Sequence, residues 1–448
     1  MKIHFIAIGG SIMHSLAIAL HQAGHEVSGS DDHIYDPAHS RLAHFGLLPT
    51  EMGWFPERIH DGLDAVILGM HAFGDNPELA RAHALGLKIY SFPAFIFEAS
   101  RNKQRIVVAG SYGKTTITSM IMHVLERAGK RFDYMVGADV PGFDLPVRIS
   151  DAPVIVMEGD EYLASKEDPR PKFLLYQPHM VVISGISWDH INVFDTEAAY
   201  TEAFASLIRS LGKAADIIYC EEDRELARLV ETLHNPNTQY VHPYGTPSYK
   251  LVDQAYQVRI DGMRQTVSVI GKHNMSNIGA AHAVCRLLGV ETVAFLEHIA
   301  TFEGARMRLQ VLHDSPGLVL IRDYAHAPAK VRASVEASKE KYSDKKLVAC
   351  AELHTFSSLT KKYLAQYRRT LRAAHHRIVF LDPQALEQRR MPAISDDELR
   401  QAFDEPGLIV VHTADELKTA IAGVRSGQDV LLMMSSGNFG GLQVMDLV

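Results

Sequence analysis

Short apolar runs rich in β-branched residues alternate with longer helical stretches along almost the whole chain of 448 residues. Such short runs are typical of buried strands, and the stretches between them have the spacing of helices. Because parallel strands need a crossover between them, usually a helix, this alternation predicts an α/β fold with mostly parallel sheets. The length allows roughly two to four domains at about 100–200 residues each.

Two segments divide the chain into three predicted domains. The polar stretch 100–105 precedes a buried strand, and the turn-rich segment 313–317 precedes another. Polar and turn-rich segments are typical of connections between domains. We therefore predict a first domain over residues 1–102, a central domain over 103–312 and a third domain over 313–448.

Composition and charge exclude several classes of function. The formal net charge is −8, which gives no electrostatic footprint for nucleic acid. Cys220, Cys285 and Cys350 are widely spaced without a CxxC pair, so we predict small core residues and neither a disulfide framework nor a zinc site. The first strand, 3–8, is too short to span a membrane, and no cleavage site follows it. The sequence therefore predicts a cytoplasmic protein with no membrane partner.

A glycine turn follows the first predicted strand. Gly9 and Gly10 lead into a helix that is predicted to end at Gly24, and the next strand leads to Ser30 and Asp31. Dinucleotide-binding folds hold a ribose with an acidic residue about 20 positions after such glycines. Ala7, however, stands where a glycine normally opens the turn. The residues alone leave two interpretations open: a nucleotide-binding turn, or a plain turn that packs helix against strand.

A second glycine-containing loop has the context of a phosphate-binding loop. It follows the buried strand 106–109 and opens a helix, so backbone N–H groups and the helix N-terminus would face phosphates. The loop is shorter than the common GxxxxGK[ST] pattern, and an ordinary strand–helix turn is the alternative. Its residues are Gly110, Ser111, Tyr112, Gly113, Lys114, Thr115 and Thr116.

Polar side chains follow the next two predicted strands of this region. The strand 154–157 ends in Glu158-Gly159-Asp160-Glu161, and the strand 180–184 is followed by Trp188-Asp189-His190. In open α/β sheets, ligands bind at the carboxyl ends of the strands. The residues therefore favour a ligand site beside the phosphate loop, with solvated strand-end charges as the alternative.

Taken together, these segments resemble the Mur ligases, the ATP-dependent amide-forming enzymes of peptidoglycan synthesis. The similar segments are the GSYGKTT loop at 110–116, EGDE at 158–161 and WDH at 188–190. Segment 271–277 is similar to the family's HNxxN motif and segment 322–328 to its DYAHxP motif. The resemblance covers essentially the whole chain. It implies a Rossmann-like N-terminal domain, a central P-loop ATPase domain and a Rossmann-like C-terminal domain.

The resemblance implies ATP and Mg²⁺ as cofactors and assigns catalytic residues. Lys114 would offset phosphate charge, Thr115 and Glu158 would hold the Mg²⁺ that bridges the β- and γ-phosphates, and His190 would hold a second metal. Related ligases use a carbamylated lysine there, but the stretch 196–207 contains no lysine. Asp189 is a candidate for the base that deprotonates the amine. The implied ATP contacts are Gly110, Ser111, Gly113, Lys114, Thr115, Thr116, Asn274 for adenine, Arg308, and Asp323 for ribose.

The first domain resembles that of the family branch that accepts UDP-N-acetylmuramate, and the implied contacts of this sugar nucleotide are Gly9, Gly10, Ser30 and Asp31. Segments 158–162, 171–173 and 434–441 resemble members that attach the murein tripeptide L-Ala-γ-D-Glu-meso-diaminopimelate in peptidoglycan recycling. The other possibility is a member that attaches L-alanine. The predicted peptide contacts, with ordinary turns as the alternative, are His354, Ser357, Ser435 and Asn438.

The sequence departs from the family pattern at Tyr112, Ala327 and Met307, while Lys114 and Glu158 are retained. Two rivals are open at this stage: a polyglutamate-forming ligase of the folate or cyanophycin type, and a P-loop nucleotide-binding regulator without ligase activity. The muramate-like first domain argues against the former, and the DYAHAP segment in a separate third domain argues against the latter. The sequence carries no information on oligomeric state.

Overall fold

The computed structural model describes residues 1–70, 72, 74–165, 168–191 and 193–448. The chain forms two compact units. The first comprises Met1–Gly110, Ile117–Ile186 and Thr201–Tyr244, and the second comprises Ser111–Thr116, Ser187–Tyr200 and Gly245–Val448. Within the described residues, no helix combines the length and apolarity needed to cross a bilayer.

The first sheet is parallel and has the strand order β2-β1-β3-β4. The glycine turn follows β1, and Gly24 ends α1 with a φ of 86°, where the amide of His25 donates to the carbonyl of Leu20. This left-handed glycine is a common helix ending. The elements are β1 Lys2–Ile6, α1 Met13–Gln22, β2 Glu26–Ser30, α2 Ala38–His44, β3 Ala65–Leu68, α3 Pro77–Ala84, β4 Ile89–Ser91 and α4 Phe92–Ala99.

The second sheet has the order β11-β10-β9-β5-β8-β6-β7, and its pairs are parallel except β6 with β7. Its central strands contain fully buried apolar runs, as expected for a sheet covered on both faces. The elements are β5 Gln104–Ala109, α5 Lys114–Arg127, β6 Asp133–Met135, β7 Val147–Arg148, β8 Val154–Glu158, α6 Lys172–Leu175, β9 Met180–Ile183, α7 Glu197–Ser210, β10 Ala215–Cys220, α8 Arg224–Leu233 and β11 Gln239–Tyr244.

A small antiparallel sheet follows, which the sequence analysis does not anticipate. Its two hairpins turn at Asp253-Gln254 and Asp261-Gly262, and all of these turn residues have positive φ. Two-residue turns with positive φ match the twist of a hairpin, and Asp-Gly is a preferred sequence for them. The elements here are β12 Ser248–Val252, β13 Ala255–Ile260, β14 Met263–Val267, α9 Lys272–Leu287 and α10 Thr292–Ile299.

The last sheet has the order β15-β16-β20-β17-β18-β19 and is parallel except for β15 at its edge. The segment 313–317 lies in the hairpin that joins β15 to β16, and the predicted domain boundary beside it stays a prediction. The elements are β15 Gln310–Asp314, β16 Leu318–Asp323, α11 Pro328–Lys341, β17 Lys346–Glu352, α12 Lys361–Leu364, β18 His376–Phe380, α13 Pro383–Gln388, α14 Asp396–Phe403, β19 Ile409–Val411, α15 Ala414–Val424 and β20 Asp429–Met434.

The predicted α/β class is confirmed, with parallel pairing in each of the large sheets. The three cysteines are buried, as predicted for small core residues. The polar stretch 100–105 is more than a connection, because Lys103 and Arg105 are buried. The Lys103 ammonium lies 2.7 Å from a carboxylate oxygen of Asp133 and also donates to the carbonyls of Ser150 and Ala152. This buried ion pair joins the start of β5 to the start of β6.

Candidate functional site

The phosphate-like loop lies between β5 and α5, as predicted. Gly110 has a φ of 122°, and a Cβ atom there would lie 2.8 Å from the backbone nitrogen of Ser184. Gly113 also has a positive φ, of 78°, and α5 begins directly after it at Lys114. Only glycine adopts such backbone conformations without strain. Both glycines are therefore required by the backbone path of the loop.

Arg308 contacts this loop within the second unit. Its Nη2 atom lies 3.3 Å from the hydroxyl oxygen of the buried Thr115, and its guanidinium lies 4.7 Å from the centre of the Tyr324 ring. The flanking residues Met307 and Leu309 both have left-handed backbone conformations, with φ of 56° and 47°. Such strained positions persist only where the surroundings hold them, and they cluster at functional sites.

Asp323 holds the segment that carries Arg308. One carboxylate oxygen of Asp323 accepts from the Leu309 amide at 3.1 Å, and the other accepts from the Ser334 hydroxyl. Asp323 is buried at the end of β16. Its predicted contact with a ribose therefore stays a prediction, and what the structure adds is that Asp323 fixes the turn beside Thr115.

Two further loop residues are buried. Ser111 and Thr116 are nearly inaccessible, and the Tyr200 hydroxyl of α7 donates to the Ser111 hydroxyl at 2.9 Å.

Asn274 is also buried at the start of α9, where its side-chain amide donates to the Ile270 carbonyl at 2.9 Å and accepts from Asn277 at 3.1 Å. The predicted adenine contact of Asn274 is not tested by these bonds.

The Trp188-Asp189-His190 turn is held by its own hydrogen bonds. The indole N–H of Trp188 donates to the Phe194 carbonyl at 3.0 Å, and the His190 amide donates to Asp189 at 2.8 Å. His190 has a φ of 55°, an uncommon conformation for a residue other than glycine. The backbone that carries His190 is therefore strained and closely held.

Asp189 is buried beside the ammonium group of Lys330. Burial opposes the charged form of Asp189, but Lys330 and the neighbouring histidines favour it, and the pKa of this carboxyl is lowered. Burial also lowers the pKa of His326 to about 3, so His326 is neutral at neutral pH. A carboxylate with a lowered pKa is a weaker base. The role of Asp189 as the base that deprotonates the amine stays a prediction.

Glu158 lies at the end of β8 in the first unit. Its carboxylate accepts from the Gly137 amide at 2.7 Å, and a Cβ atom at position 137 would lie 2.9 Å from the same oxygen. Thr115 and His190 belong to the second unit. The hydroxyl of Thr115 and the carboxylate of Glu158 are donors that suit Mg²⁺, whereas imidazole is an unusual ligand for it. The metal roles of these residues stay predictions.

The glycine turn after β1 is closed by Asp31. A carboxylate oxygen of Asp31 accepts from the Gly9 amide at 2.7 Å, and burial raises the pKa of this carboxyl. Ala7 has a φ of 67°, which explains why a glycine is usual at its position. Ser30 is buried, and its hydroxyl accepts from Arg58 at 3.4 Å. Asp31 therefore fixes the turn that contains Gly9 and Gly10.

The strand ends of the last sheet bring together two of the four predicted peptide residues. Ser435 donates to the buried carboxylate of Glu352, which also accepts from the Phe439 amide at 3.0 Å. His354 lies 3.8 Å from Glu352 through Nδ1 and 3.4 Å from Arg389 through Nε2. We call Glu352, His354, Arg389 and Ser435 the strand-end cluster.

The other two predicted peptide residues stand apart from these contacts. Asn438 is exposed and accepts from the Gly441 amide at 3.2 Å, while Ser357 is buried in the turn after β17. Arg389, Lys330 and Ser334 belong to no sequence motif, because each makes its contact with a residue outside its own segment.

Comparisons with known proteins identify the family. A model of the Mur ligase family catalytic domain matches residues 2–104, the Mur ligase middle domain matches 108–285, and the Mur ligase glutamate ligase domain matches 307–437. The chain belongs to the Mur ligase family. It is therefore an ATP-dependent acid–amino-acid ligase with the three-domain α/β fold of that family.

Curated relatives of this Mur ligase span nearly its whole length. It is similar to a UDP-N-acetylmuramate–L-alanine ligase of Desulfitobacterium hafniense, at 26% identity over 98% of this chain and 97% of the relative. A protein of the same name from Nitrosomonas europaea is 29% identical over 98% of this chain and 95% of the relative.

Solved structures give the same fold. A murein peptide ligase of Psychrobacter arcticus matches with a TM-score of 0.69 at 21% identity, over 100% of this chain and 98% of the other. A UDP-N-acetylmuramate–alanine ligase of Thermotoga maritima matches at 0.72 and 21%, over 100% and 97%. A UDP-N-acetylmuramate:L-alanyl-γ-D-glutamyl-meso-diaminopimelate ligase of Neisseria meningitides matches at 0.60 and 27%, over 67% of this chain and 98% of the other.

Proposed function

We propose that this Mur ligase joins the carboxylate of UDP-N-acetylmuramate to the amine of the tripeptide L-Ala-γ-D-Glu-meso-diaminopimelate, with ATP cleaved to ADP and phosphate, in the recycling of peptidoglycan. The proposal includes Mg²⁺ as the metal and the cytoplasm as the location, as the family implies. Named relatives with full-length similarity act on UDP-N-acetylmuramate, which supports the sugar substrate.

The contact between Arg389 and His354 is the observation that favours the tripeptide over L-alanine as the amine substrate. The tripeptide has several carboxylates, whereas L-alanine has a single one beside its reacting amine. Arginine binds carboxylates through charge-assisted hydrogen bonds. Arg389 is half-buried, and its guanidinium lies beside the strand-end cluster, 3.4 Å from His354. Such a cation suits a substrate that has carboxylates remote from its amine.

A second candidate is the attachment of L-alanine, which is what the named curated relatives do. The structural relative from Neisseria meningitides, which is named for the tripeptide, supports the first candidate at a similar identity of 27%. Both candidates share the same chemistry at the sugar carboxylate. They differ only in the amine that attacks.

The chemistry explains why the loop residues are needed. A carboxylate is a poor electrophile, and transfer of the γ-phosphoryl group converts it to an acyl phosphate with a good leaving group. Both reactants are anions, so positive charge at the transferring group is the main requirement, and Lys114 is suited to supply it. The amine then attacks the acyl carbon, the carbon–nitrogen bond forms and phosphate departs.

A turnover assay tests the choice of amine. ADP release is measured with UDP-N-acetylmuramate and either the tripeptide or L-alanine. We expect turnover with the tripeptide, and Arg389→Ala should raise the tripeptide KM by about tenfold or more, the worth of a charge-assisted hydrogen bond. Arg390→Ala, which removes the same charge from the exposed next residue, is the control. Turnover with L-alanine but not with the tripeptide would overturn the proposal.

The sugar site is tested at Asp31. We expect Asp31→Ala to raise the KM for UDP-N-acetylmuramate more than the KM for ATP, because the Gly9 amide loses its acceptor and the turn loosens. The control is Asp61→Ala, which removes an exposed carboxylate of the same unit. Initial rates at varied concentrations of each substrate give both constants. An unchanged KM for the sugar nucleotide would count against this site.

A further inference from the structure

Within the second unit, a nearly buried ion pair joins Asp189 of the WDH segment to a lysine outside the family motifs. Lys330, in the first turn of α11, places its ammonium nitrogen 3.4 Å from a carboxylate oxygen of Asp189. The Asp189 side chain is 7% exposed and that of Lys330 is 25% exposed. Water screens such a pair far less than a surface pair, so its geometry is closely held.

Asp189 also bonds to the backbone of its own turn, Trp188-Asp189-His190. The other carboxylate oxygen of Asp189 accepts from the amide of His190 at 2.8 Å. His190 has the left-handed φ of 55°, which costs on the order of 1–3 kcal/mol and needs support from its surroundings. Asp189 thus connects a cation on one side with a strained backbone on the other.

The first turn of α11 is itself fixed to the Arg308 segment. The Ser334 hydroxyl lies 3.0 Å from the Lys330 carbonyl and also contacts the carboxylate of Asp323. Asp323 in turn accepts from the amide that follows Arg308. Lys330 therefore projects from a turn that is tied to the segment contacting Thr115.

We propose that Lys330 is a positioning residue for the ligase reaction. Its ammonium group fixes the carboxylate of Asp189, and Asp189 in turn fixes the amide and backbone of His190. Lys330 itself need not touch the substrates. The proposal rests on the predicted role of His190 at the reacting phosphate. A shift of about 1 Å in such a group can reduce the rate about 100-fold, so a small movement of the turn has a large effect.

If the ion pair only stabilises the fold, a different result is expected. Removal of one partner from a buried pair leaves an uncompensated charge and lowers stability, whatever the pair does for catalysis. The experiment must therefore separate a loss of rate from a loss of folding. Lys330→Met keeps most of the length of the side chain and removes the charge, and Lys330→Arg keeps the charge.

Kinetics give the first test. For Lys330→Met we expect kcat to fall by about 10- to 100-fold with the ATP KM changed less than about threefold, because positioning acts on the transition state and not on ground-state binding. Lys330→Arg should restore most of kcat. Addition of Asp189→Asn to Lys330→Met should reduce kcat little further, because residues that act as a unit are non-additive. Lys339→Met, on the same helix with its ammonium near the Ser343 carbonyl, is the control.

Amide hydrogen exchange gives a readout that does not depend on turnover. Without substrates, the peptide containing the His190 amide should exchange faster in Lys330→Met than in the wild-type protein, and Lys339→Met should leave it unchanged. A lowered melting temperature with unchanged kcat and unchanged exchange would overturn the proposal, as would equal losses in Lys330→Met and Lys339→Met. A wild-type protein inactive with both amines would refute the proposed function alone, because the exchange comparison stands without it.

Discussion

Lys114→Ala is expected to abolish ADP formation while the protein still binds UDP-N-acetylmuramate. Lys114 begins α5 directly after Gly113, at the end of the loop that is suited to phosphates. Its loss removes positive charge where negative charge develops on the transferring group, and such losses reduce the rate by about 100- to 1,000-fold or more. Coupled-enzyme detection of ADP measures the rate, and calorimetric titration measures sugar-nucleotide binding.

The control for Lys114 is Lys130→Ala, which removes an exposed lysine just after the same helix. Its activity should equal that of the wild-type protein. Retained ADP formation in Lys114→Ala would refute the assignment of the loop. If instead both ADP formation and sugar binding were lost, the substitution would have disturbed folding, and melting temperatures identify that case.

Asp133→Ala is expected to lower the free energy of unfolding of the first unit by about 3–5 kcal/mol, the usual cost of breaking a buried ion pair. The side chains of Lys103 and Asp133 are 8% and 0% exposed, and their charged atoms are 2.7 Å apart. Asp133 also accepts from the amide and hydroxyl of Ser150 at 3.0 and 2.6 Å. Alanine would leave the Lys103 ammonium buried without its counter-charge. Urea denaturation followed by circular dichroism measures the change.

Asp151→Ala is the matched control for the buried pair. Asp151 pairs with Arg131 at 2.5 Å, but these side chains are 87% and 65% exposed. Surface pairs contribute little because water and salt screen them. A similar loss of stability in both variants would contradict the argument from burial. The double variant Lys103→Met/Asp133→Leu should recover much of the loss, because it leaves no unpaired charge.

The fold class could be predicted from local patterns because buried parallel strands are nearly continuous apolar runs. The runs that contain β5 and β8 are examples, and both lie in the central part of their sheet. The hairpin at Asp261-Gly262 also has a local signal, because Asp-Gly is a preferred sequence for a two-residue turn with positive φ. Composition alone does not tell a hairpin turn such as 313–317 from a connection between domains, because both are rich in turn-forming residues.

The parts of the candidate site that lie on one continuous segment could be predicted from the sequence, and the parts that the fold brings together could not. The loop 110–116 is continuous in sequence, so its strand, glycines and helix could be anticipated together. Lys330 and Arg389 could not be predicted, because lysine and arginine side chains are usually exposed, and only the fold brings these two to Asp189 and His354. The left-handed backbone at Met307 and Leu309 could not be predicted either, because neither position has the glycine that usually marks such a conformation.

The strand order of the last sheet has a consequence for how the protein is made. β20 lies between β16 and β17, although it follows β17, β18 and β19 along the chain. As synthesis proceeds from the N-terminus, β16 and β17 are made before the strand that lies between them. Until β20 is made, the edges of β16 and β17 have unpaired backbone N–H and C=O groups, which can pair with strands of other chains. Glu352 meets Ser435 only when β20 is in place. Chaperone protection during synthesis should therefore matter most for this sheet, and arrest before β20 should yield aggregates in which the strand-end cluster is not assembled.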